Sequence, residues 1–409
     1  MTIAIKTKAA KRGLAFALIG MMLVAAFGGC LGEKGKESPK PPAVDEKKSA
    51  VTAAFDYKIG DEGLIVDASG AKDANGLPLR YIWEWGDGSK GWGVKTYHSY
   101  DEDGTYTVSL RADNGMGDIG FANITIDSKD SSLAGTCNAT GGAALNGTGN
   151  KTDKWAIIDG MSDYPGTGSD LDDCHIDALN VYDYLINNCS FPEENVFLFL
   201  NYTACPKNIK AAIAFVINHT TEASEFVYYH SGHGGAVELS GETGVVESAI
   251  YVTNDGWSDA YGITTSEFKG LFANLKSKKF AFIADSCQTG EMGGIGDSKA
   301  VPLTEGIAAP GRIIITASNE ATVASGTGNG GVFTIAFLTE GIREGKGDGC
   351  SMAEPPALAG TLNTKDGKVS LQEAYWYTWW TLETGGGASP TGPEHMPEMT
   401  DNYGEPFFL

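Results

Sequence analysis

From Val51 to about Ile126, apolar and polar residues alternate in short runs: L-I-V-D-A-S, L-R-Y-I-W-E-W, T-Y-T-V-S-L-R-A and F-A-N-I-T-I, with turn residues between them. This period of two predicts strands buried on one face, stacked as an antiparallel β-sandwich. After Lys151 the pattern changes. Apolar runs K-W-A-I-I-D, V-F-L-F-L, E-F-V-Y-Y and K-F-A-F-I-A now alternate with stretches of helical period, from L-D-D-C-H-I-D-A-L-N-V-Y-D-Y-L-I to C-P-K-N-I-K-A-A-I-A-F-V-I-N-H and S-E-F-K-G-L-F-A-N-L. Strand, helix, strand, helix predicts an α/β domain built on a mostly parallel sheet flanked by helices.

The segments outside these two patterns set the boundaries. Residues 1–29 carry Lys6, Lys8, Lys11 and Arg12 with no acid, then an apolar run from Leu14 to Phe27 that is short for a bilayer crossing. This is the three-part pattern of a signal peptide. Its ending, Phe-Gly-Gly-Cys, resembles a lipobox, which makes Cys30 the candidate for lipidation; an uncleaved anchor or ordinary secretion is the plainer alternative. Residues 30–50, charged and Pro-rich, lack the apolar side chains to fold and read as a tether. The sandwich is placed at 51–128, a Ser/Thr/Gly/Asn-rich linker at 129–150, and the α/β domain at 151–409.

Charge narrows the partners. Thirty basic against 52 acidic residues give a formal −22, and loss of the leader takes only cations from it. Such a surface does not suit phosphate backbones, so nucleic acid is excluded as a default partner. The expected place is the outer face of the cell membrane, lipid-anchored, or the medium if the lipid is absent. Seven N-x-[ST] triplets, at Asn123, Asn138, Asn146, Asn150, Asn188, Asn201 and Asn218, suit an exported chain but also arise by chance in Asn-rich turns. Of seven cysteines, Cys189 and Cys205 flank the second strand of the α/β domain, and Cys137 and Cys350 stand far apart. An oxidising exterior makes two bridges among them conceivable, with Cys174 free.

The chemistry concentrates where two apolar strands end. E-F-V-Y-Y runs into H-S-G-H-G-G, and K-F-A-F-I-A runs into D-S-C-Q-T-G. In open α/β sheets ligands bind beyond the carboxyl ends of the strands, so His233 and Cys287, 54 residues apart in sequence, are placed to meet there. A thiolate attacks, an imidazole moves the proton, and the backbone N–H groups of Gly234 and Cys287 are candidates for the oxyanion site.

Two resemblances follow from these residues. The turn W-G-D-G-S (Trp85–Ser89) with Y-H-S-Y-D-E-D-G-T-Y-T-V-S-L (Tyr97–Leu110) resembles the PKD-type immunoglobulin-like domain; Gly86 and Gly88 supply positive φ around Asp87, and Trp83 and Trp85 share one face toward the core. Such domains imply positioning, with contact to a cell-surface polymer or protein. H-S-G-H-G and D-S-C-Q-T-G resemble the caspase, metacaspase and legumain clan of cysteine peptidases over roughly 154–382. That resemblance implies a His233–Cys287 dyad acting on a peptide or protein substrate, with His230 structural.

It also implies an S1 pocket lined by Asp177, from C-x-x-D-A on the first helix, and Asp285, beside Cys174. Two carboxylates there favour Arg or Lys at P1 and repel an acid. Q-T-G after the nucleophile departs from the family's usual H-S-G, and Cys174-His175 is similar to the legumain pattern, which leaves Asn at P1 as an alternative. A different class of function is a catalytically silent caspase-like fold in an adhesion lipoprotein. The chemistry requires no cofactor, and the resemblance leaves room for Ca²⁺ as an activator. L-N-T-K-D-G-K-V-S-L-Q-E (Leu362–Glu373) has the spacing of an EF-hand loop but opens on Leu362 instead of Asp, and is read as a solvated turn before an aromatic helix with Trp376, Trp379 and Trp380 in the core. No residue is assigned to a metal. The Gly-rich stretch from Glu291 to Pro310 is read as a cleavage or lid loop.

Overall fold

The computed structural model describes residues 49–60, 63–130, 133–144, 153–166, 168–238, 246–287, 307–318, 330–361, 364–384 and 397–409. The leader, Cys30, the tether and the stretch from Glu291 to residue 306 lie outside the described residues.

Alternating strands make the first domain. One sheet orders the strands β10, β2, β3, β7, where β2 is Phe55–Gly60, β3 Gly63–Asp67, β7 Lys95–His98 and β10 Ala134–Cys137. The facing sheet runs β11, β9, β8, β5, β6, with β5 Arg80–Glu84, β6 Lys90–Trp92, β8 Thr105–Asp113, β9 Asp118–Asp127 and β11 Gly141–Ala144. The core lies between them: Trp83 and Trp85 are fully buried and stack 5.7 Å apart. Gly86 and Gly88 take φ of 90° and 96°, and at Gly86 a Cβ would strike the backbone of Thr107.

The sandwich reaches beyond residue 128. β10 pairs with β2 and β11 pairs with β9, so the expected linker at 129–150 supplies two edge strands. β10 carried no signal because it has little to bury. In A-G-T-C only Cys137 is buried, and the ladder holds by its backbone.

The second domain is a six-stranded sheet ordered β13, β12, β14, β18, β19, β20. β12 (Lys154–Gly160), β13 (Val196–Leu200), β14 (Glu225–Ser231), β18 (Lys279–Asp285) and β19 (Arg312–Thr316) are parallel; β20 (Glu398–Asp401) closes one edge antiparallel. Every residue of β14 is buried, the expected state of an inner parallel strand covered on both faces.

Helices α2 (Pro206–His219) and α3 (Thr265–Leu271) cover one face through Ile209, Ile213, Phe215 and Phe268. α1 (Cys174–Asn187), α4 (Val332–Thr334, continued by π-wound turns over Ile335–Arg343) and α5 (Leu371–Thr384) cover the other. Pro206 opens α2 at its first turn, and Thr264 with Glu267 forms a capping box on α3. A small antiparallel sheet of β15 (Gly234–Glu238), β16 (Val246–Thr253) and β17 (Ala260–Thr264) packs on the α2/α3 side.

The conceivable disulfides are corrected. None of the six described cysteines is joined in a disulfide. Cys189 packs in the core on the α1 side, whereas Cys205 precedes α2 on the opposite face; Cys137 belongs to the sandwich core.

Candidate active site

The site lies where β12, β14 and β18 end side by side. Ser231 pairs with Asp285, and Gly232 N–H donates to the Asp285 carbonyl at 3.1 Å, carrying the ladder one step past β14. His233 and Cys287 each follow that Ser231–Asp285 pair by two residues, so in-register pairing brings them to one edge. Both are partly exposed.

His233 is held from several sides. Its ring lies 4.7 Å from that of Tyr164, and its backbone N–H donates to the Tyr164 hydroxyl at 2.7 Å. That hydroxyl donates to the Tyr251 carbonyl at 3.0 Å, while the His233 carbonyl accepts from Tyr251 N–H at 2.8 Å. The imidazole Nε2 lies 2.8 Å from the Ser169 carbonyl. A carbonyl only accepts, so Nε2 carries hydrogen and Nδ1 is left as the basic nitrogen. Burial pushes the Tyr164 phenol well up, with nearby Cys174, Asp159 and Cys287 adding to it.

Gly234 pairs with Ile250 while Tyr251 N–H donates to the His233 carbonyl. In that antiparallel phase Gly234 N–H turns away from β16 to the outer edge of β15.

Behind this edge the sheet carries two acid sets. On the α2/α3 face, Asp159 Oδ1 lies 2.5 Å from His230 Nδ1, and Asp159 Oδ2 accepts from the Tyr228 hydroxyl at 2.8 Å. All of it is buried, and His230 serves this structural pair. On the α1/α4 face, Asp177 and Asp285 converge on one spot. Asp177 accepts the Ser231 hydroxyl at 2.9 Å and Gly331 N–H at 3.0 Å; Asp285 accepts the N–H and hydroxyl of Thr334 at 3.1 and 2.7 Å. Asp173 accepts Gly330 N–H at 3.2 Å.

No Lys or Arg pairs with these oxygens among the described residues, and His230 acts on Asp285 through its charge. Burial raises both the Asp177 and the Asp285 carboxyl, and for Asp177 the negative Asp285 is the next cause. The pair therefore retains a proton where a free carboxyl has lost it. Cys174 lies among these acids, and its thiol is pushed up by burial first and then by Asp285 and Asp177, which makes it a poor nucleophile.

The expected S1 residues are thus brought together, with the start of α4 lying over them. Sequence reasoning missed Tyr164, Ser169, Asp159 and Asp173. All four lie at the end of β12 or in the loop after it, and the rule that pointed to the ends of β14 and β18 applied equally there. In the EF-hand-like stretch the Glu373 carboxylate takes Gly349 N–H, Ser370 N–H and the Ser370 hydroxyl as an α5 cap, at 2.8 to 3.0 Å. No group of three or more His, Cys, Asp or Glu is arranged to hold a metal ion among the described residues.

A family model for the caspase domain matches residues 153–373, more than half of the chain. The chain belongs to the caspase-domain family, which is one of cysteine peptidases. A PKD-domain model matches residues 49–126, ahead of the caspase domain. Metacaspase-4 of Arabidopsis thaliana is 28% identical over 143 residues, covering 34% of this chain and 34% of that protein. Collagenase ColQ1 of Bacillus cereus (strain Q1) is 23% identical over 192 residues, covering 47% of this chain and 17% of that protein. The match thus spans about a third of the first relative and less of the second. Among solved structures, Caspase-1 from Spodoptera frugiperda aligns at 11% identity with a TM-score of 0.33, over 61% of this chain and 87% of that one.

Proposed function

We propose that this caspase domain is an exported, membrane-tethered cysteine endopeptidase that cuts after Arg or Lys through Cys287 and His233. His233 Nδ1 takes the Cys287 thiol proton, and the thiolate attacks the scissile carbonyl carbon. The developing oxyanion meets the N–H groups of Gly234 and Cys287. Collapse breaks the C–N bond as His233 returns the proton to the leaving amine, leaving a thioester on Sγ. Water then adds to the thioester with His233 as base, and the thiol is restored. Asp177 and Asp285 would receive the cationic P1 side chain, which must replace the Gly331 and Thr334 N–H groups that these oxygens now accept.

The observation that carries this reading is the Ser169 carbonyl on Nε2, which fixes the tautomer that leaves Nδ1 basic. Export and lipid attachment through Cys30 are supported by the basic-then-apolar leader. The PKD domain and the likeness to a collagenase fit work outside the cell. Calcium as an activator has no step in this chemistry. The test is turnover of fluorogenic Arg-, Lys-, Asn- and Asp-P1 peptides. The basic substrates are expected to be cut and Cys287→Ala to be inert; undiminished turnover in Cys287→Ala would refute the assignment, and a preference for Asn would refute the P1 choice.

A further inference from the structure

The PKD domain does not sit on this chain as a separate bead. Residues 47–409 form one compact unit, and the sandwich is fastened to α2 and to the turn before it. Asn208, 1% exposed, is the central fastener: its Oδ1 accepts Lys95 N–H at 3.0 Å and its Nδ2 donates to the Lys95 carbonyl at 2.5 Å, so one side chain completes a strand-like pair with β7. The same Nδ2 lies 2.9 Å from the Thr203 carbonyl. Around it, Lys207 pairs with Asp67 at 3.2 Å, buried Arg80 pairs with Asp113 and donates to the Glu194 carbonyl, and His219 Nε2 lies 2.8 Å from the Asn114 carbonyl. Tyr97 packs edge-on against Tyr202 at 5.6 Å.

The residues so gripped lead to the site. Residues 201–204 form the turn between β13 and α2. Asn201, at φ 47°, accepts with its Oδ1 from Ser162 N–H and Asp163 N–H at 2.9 and 3.1 Å. Those two amides open the loop 161–173, which carries Tyr164 against the His233 ring and Ser169 against Nε2. Ala204 accepts from Thr253 N–H at 3.1 Å at the end of β16, the strand whose Tyr251 holds both Tyr164 and His233. Two short hydrogen-bonded routes thus join the sandwich to the same imidazole.

We propose that the PKD domain acts as a built-in positioning element of the peptidase: by clamping residues 201–208 through Asn208, it orders the loop 161–173 and so holds His233. Asn208 and Asn201 are positioning residues. The inference rests on the proposed role of His233, but the clamp on the loop can be tested apart from it.

The experiment uses the full chain with Asn208→Ala, Gly93→Ala and Gly88→Ala. Gly93, at φ 105°, would place a Cβ 2.6 to 2.9 Å from the Asn208 side chain, whereas Gly88, at φ 96°, would place one where nothing lies within 4 Å. The two glycine variants therefore carry similar backbone strain, and only one disturbs the clamp. Deuterium uptake in 161–173 is read in a Cys287→Ala background, free of self-cleavage; kcat, KM and the pH profile of Cys287 alkylation by iodoacetamide are read in the active chain.

Expected are faster uptake in 161–173, a kcat lowered by about three- to thirtyfold with KM held, and a shifted alkylation profile in Asn208→Ala and Gly93→Ala, with Gly88→Ala unchanged. Unchanged uptake in the clamp variants, or equal losses in Gly88→Ala, would overturn the proposal. If uptake responds while Cys287→Ala itself retains turnover, the clamp stands and the catalytic assignment fails.

Discussion

The two faces of the sheet carry buried carboxylates near the same strand ends and treat them in different ways. On the α2/α3 face Asp159 is answered by His230 and by the Tyr228 hydroxyl, and both of its oxygens are used by groups that lie on the adjoining strand β14. On the α1/α4 face Asp177 and Asp285 accept hydrogen bonds from neutral donors, Ser231, Gly331 and Thr334, and stand against one another, with His230 of the other set acting on Asp285 through its charge. In the first set both carboxylate oxygens are paired, while His230 Nε2 is buried without a hydrogen-bond partner. In the second the start of α4 lies over the acids, and no Lys or Arg among the described residues pairs with them. The difference separates an acid paired with a histidine from the acid pair that we propose receives a ligand, although exposure alone would rank the two alike.

The comparison is sharpened most by removing one acid from each face. Asp159→Ala strands the buried His230 and Tyr228 polar atoms together, so unfolding by denaturant is expected to lose about 3 kcal/mol, with 1 to 3 kcal/mol roughly the cost of each orphaned group. Asp177→Asn, which relieves like-charge crowding, is expected to leave stability at neutral pH the same or higher. A loss there equal to that of Asp159→Ala would erase the distinction. The activities should reverse this order. For Arg-P1 peptides Asp177→Asn is expected to lower kcat/KM on the order of a hundredfold, the usual result of removing one partner of a buried charged contact, with alkylation of Cys287 unaffected.

The frame of this arrangement is legible in the sequence because its signals are local. E-F-V-Y-Y and K-F-A-F-I-A are apolar after their first residue, as suits a parallel strand covered on both faces, so the ends of those strands, and with them His233 and Cys287, could be placed. The acid pair could be named by motif but not its covering, because the approach of Gly331 to Asp177 joins residues 154 positions apart with no side chain on the glycine to signal it. Tyr164 and Ser169 lie in a polar loop whose composition says only turn. The docking of the sandwich was hidden for a related reason: Asn208 looks like an ordinary polar position on a helix, and its value comes from a backbone in another domain.

A smaller effect is expected at the covering itself. Gly331 takes φ −61° and ψ 139°, open to any residue, but a Cβ there would enter the space of the Asp285 and Asp177 oxygens. Gly331→Ala is therefore expected to cost about 2 kcal/mol through overpacking and to speed deuterium exchange at Gly330 through Thr334. The Asp159 side should not respond. Exchange that rises equally on both faces would mean the covering is no separate element.

The last difference between the faces is their response to pH. Burial raises the Asp177 and Asp285 carboxyls above their unfolded value near 4, so between the two values the folded chain holds a proton that the unfolded chain has released. The stability this contributes is complete below the unfolded value and is lost as pH rises through the folded one, at about 1.4 kcal/mol per pH unit for each proton so held. Asp177→Asn cannot lose that proton. The variant is expected to gain stability relative to wild type as pH is raised from about 4 toward neutrality, measured as the difference between their denaturant midpoints. The same proton must leave before a guanidinium can be bound by both acids, so KM for Arg-P1 peptides should fall only as pH rises through the folded value, about 8 for Asp177. A wild-type midpoint that tracks Asp177→Asn in parallel across this range would show that the pair is ionised in the closed state, and the contrast between a compensated and an uncompensated face would then have to rest on geometry alone.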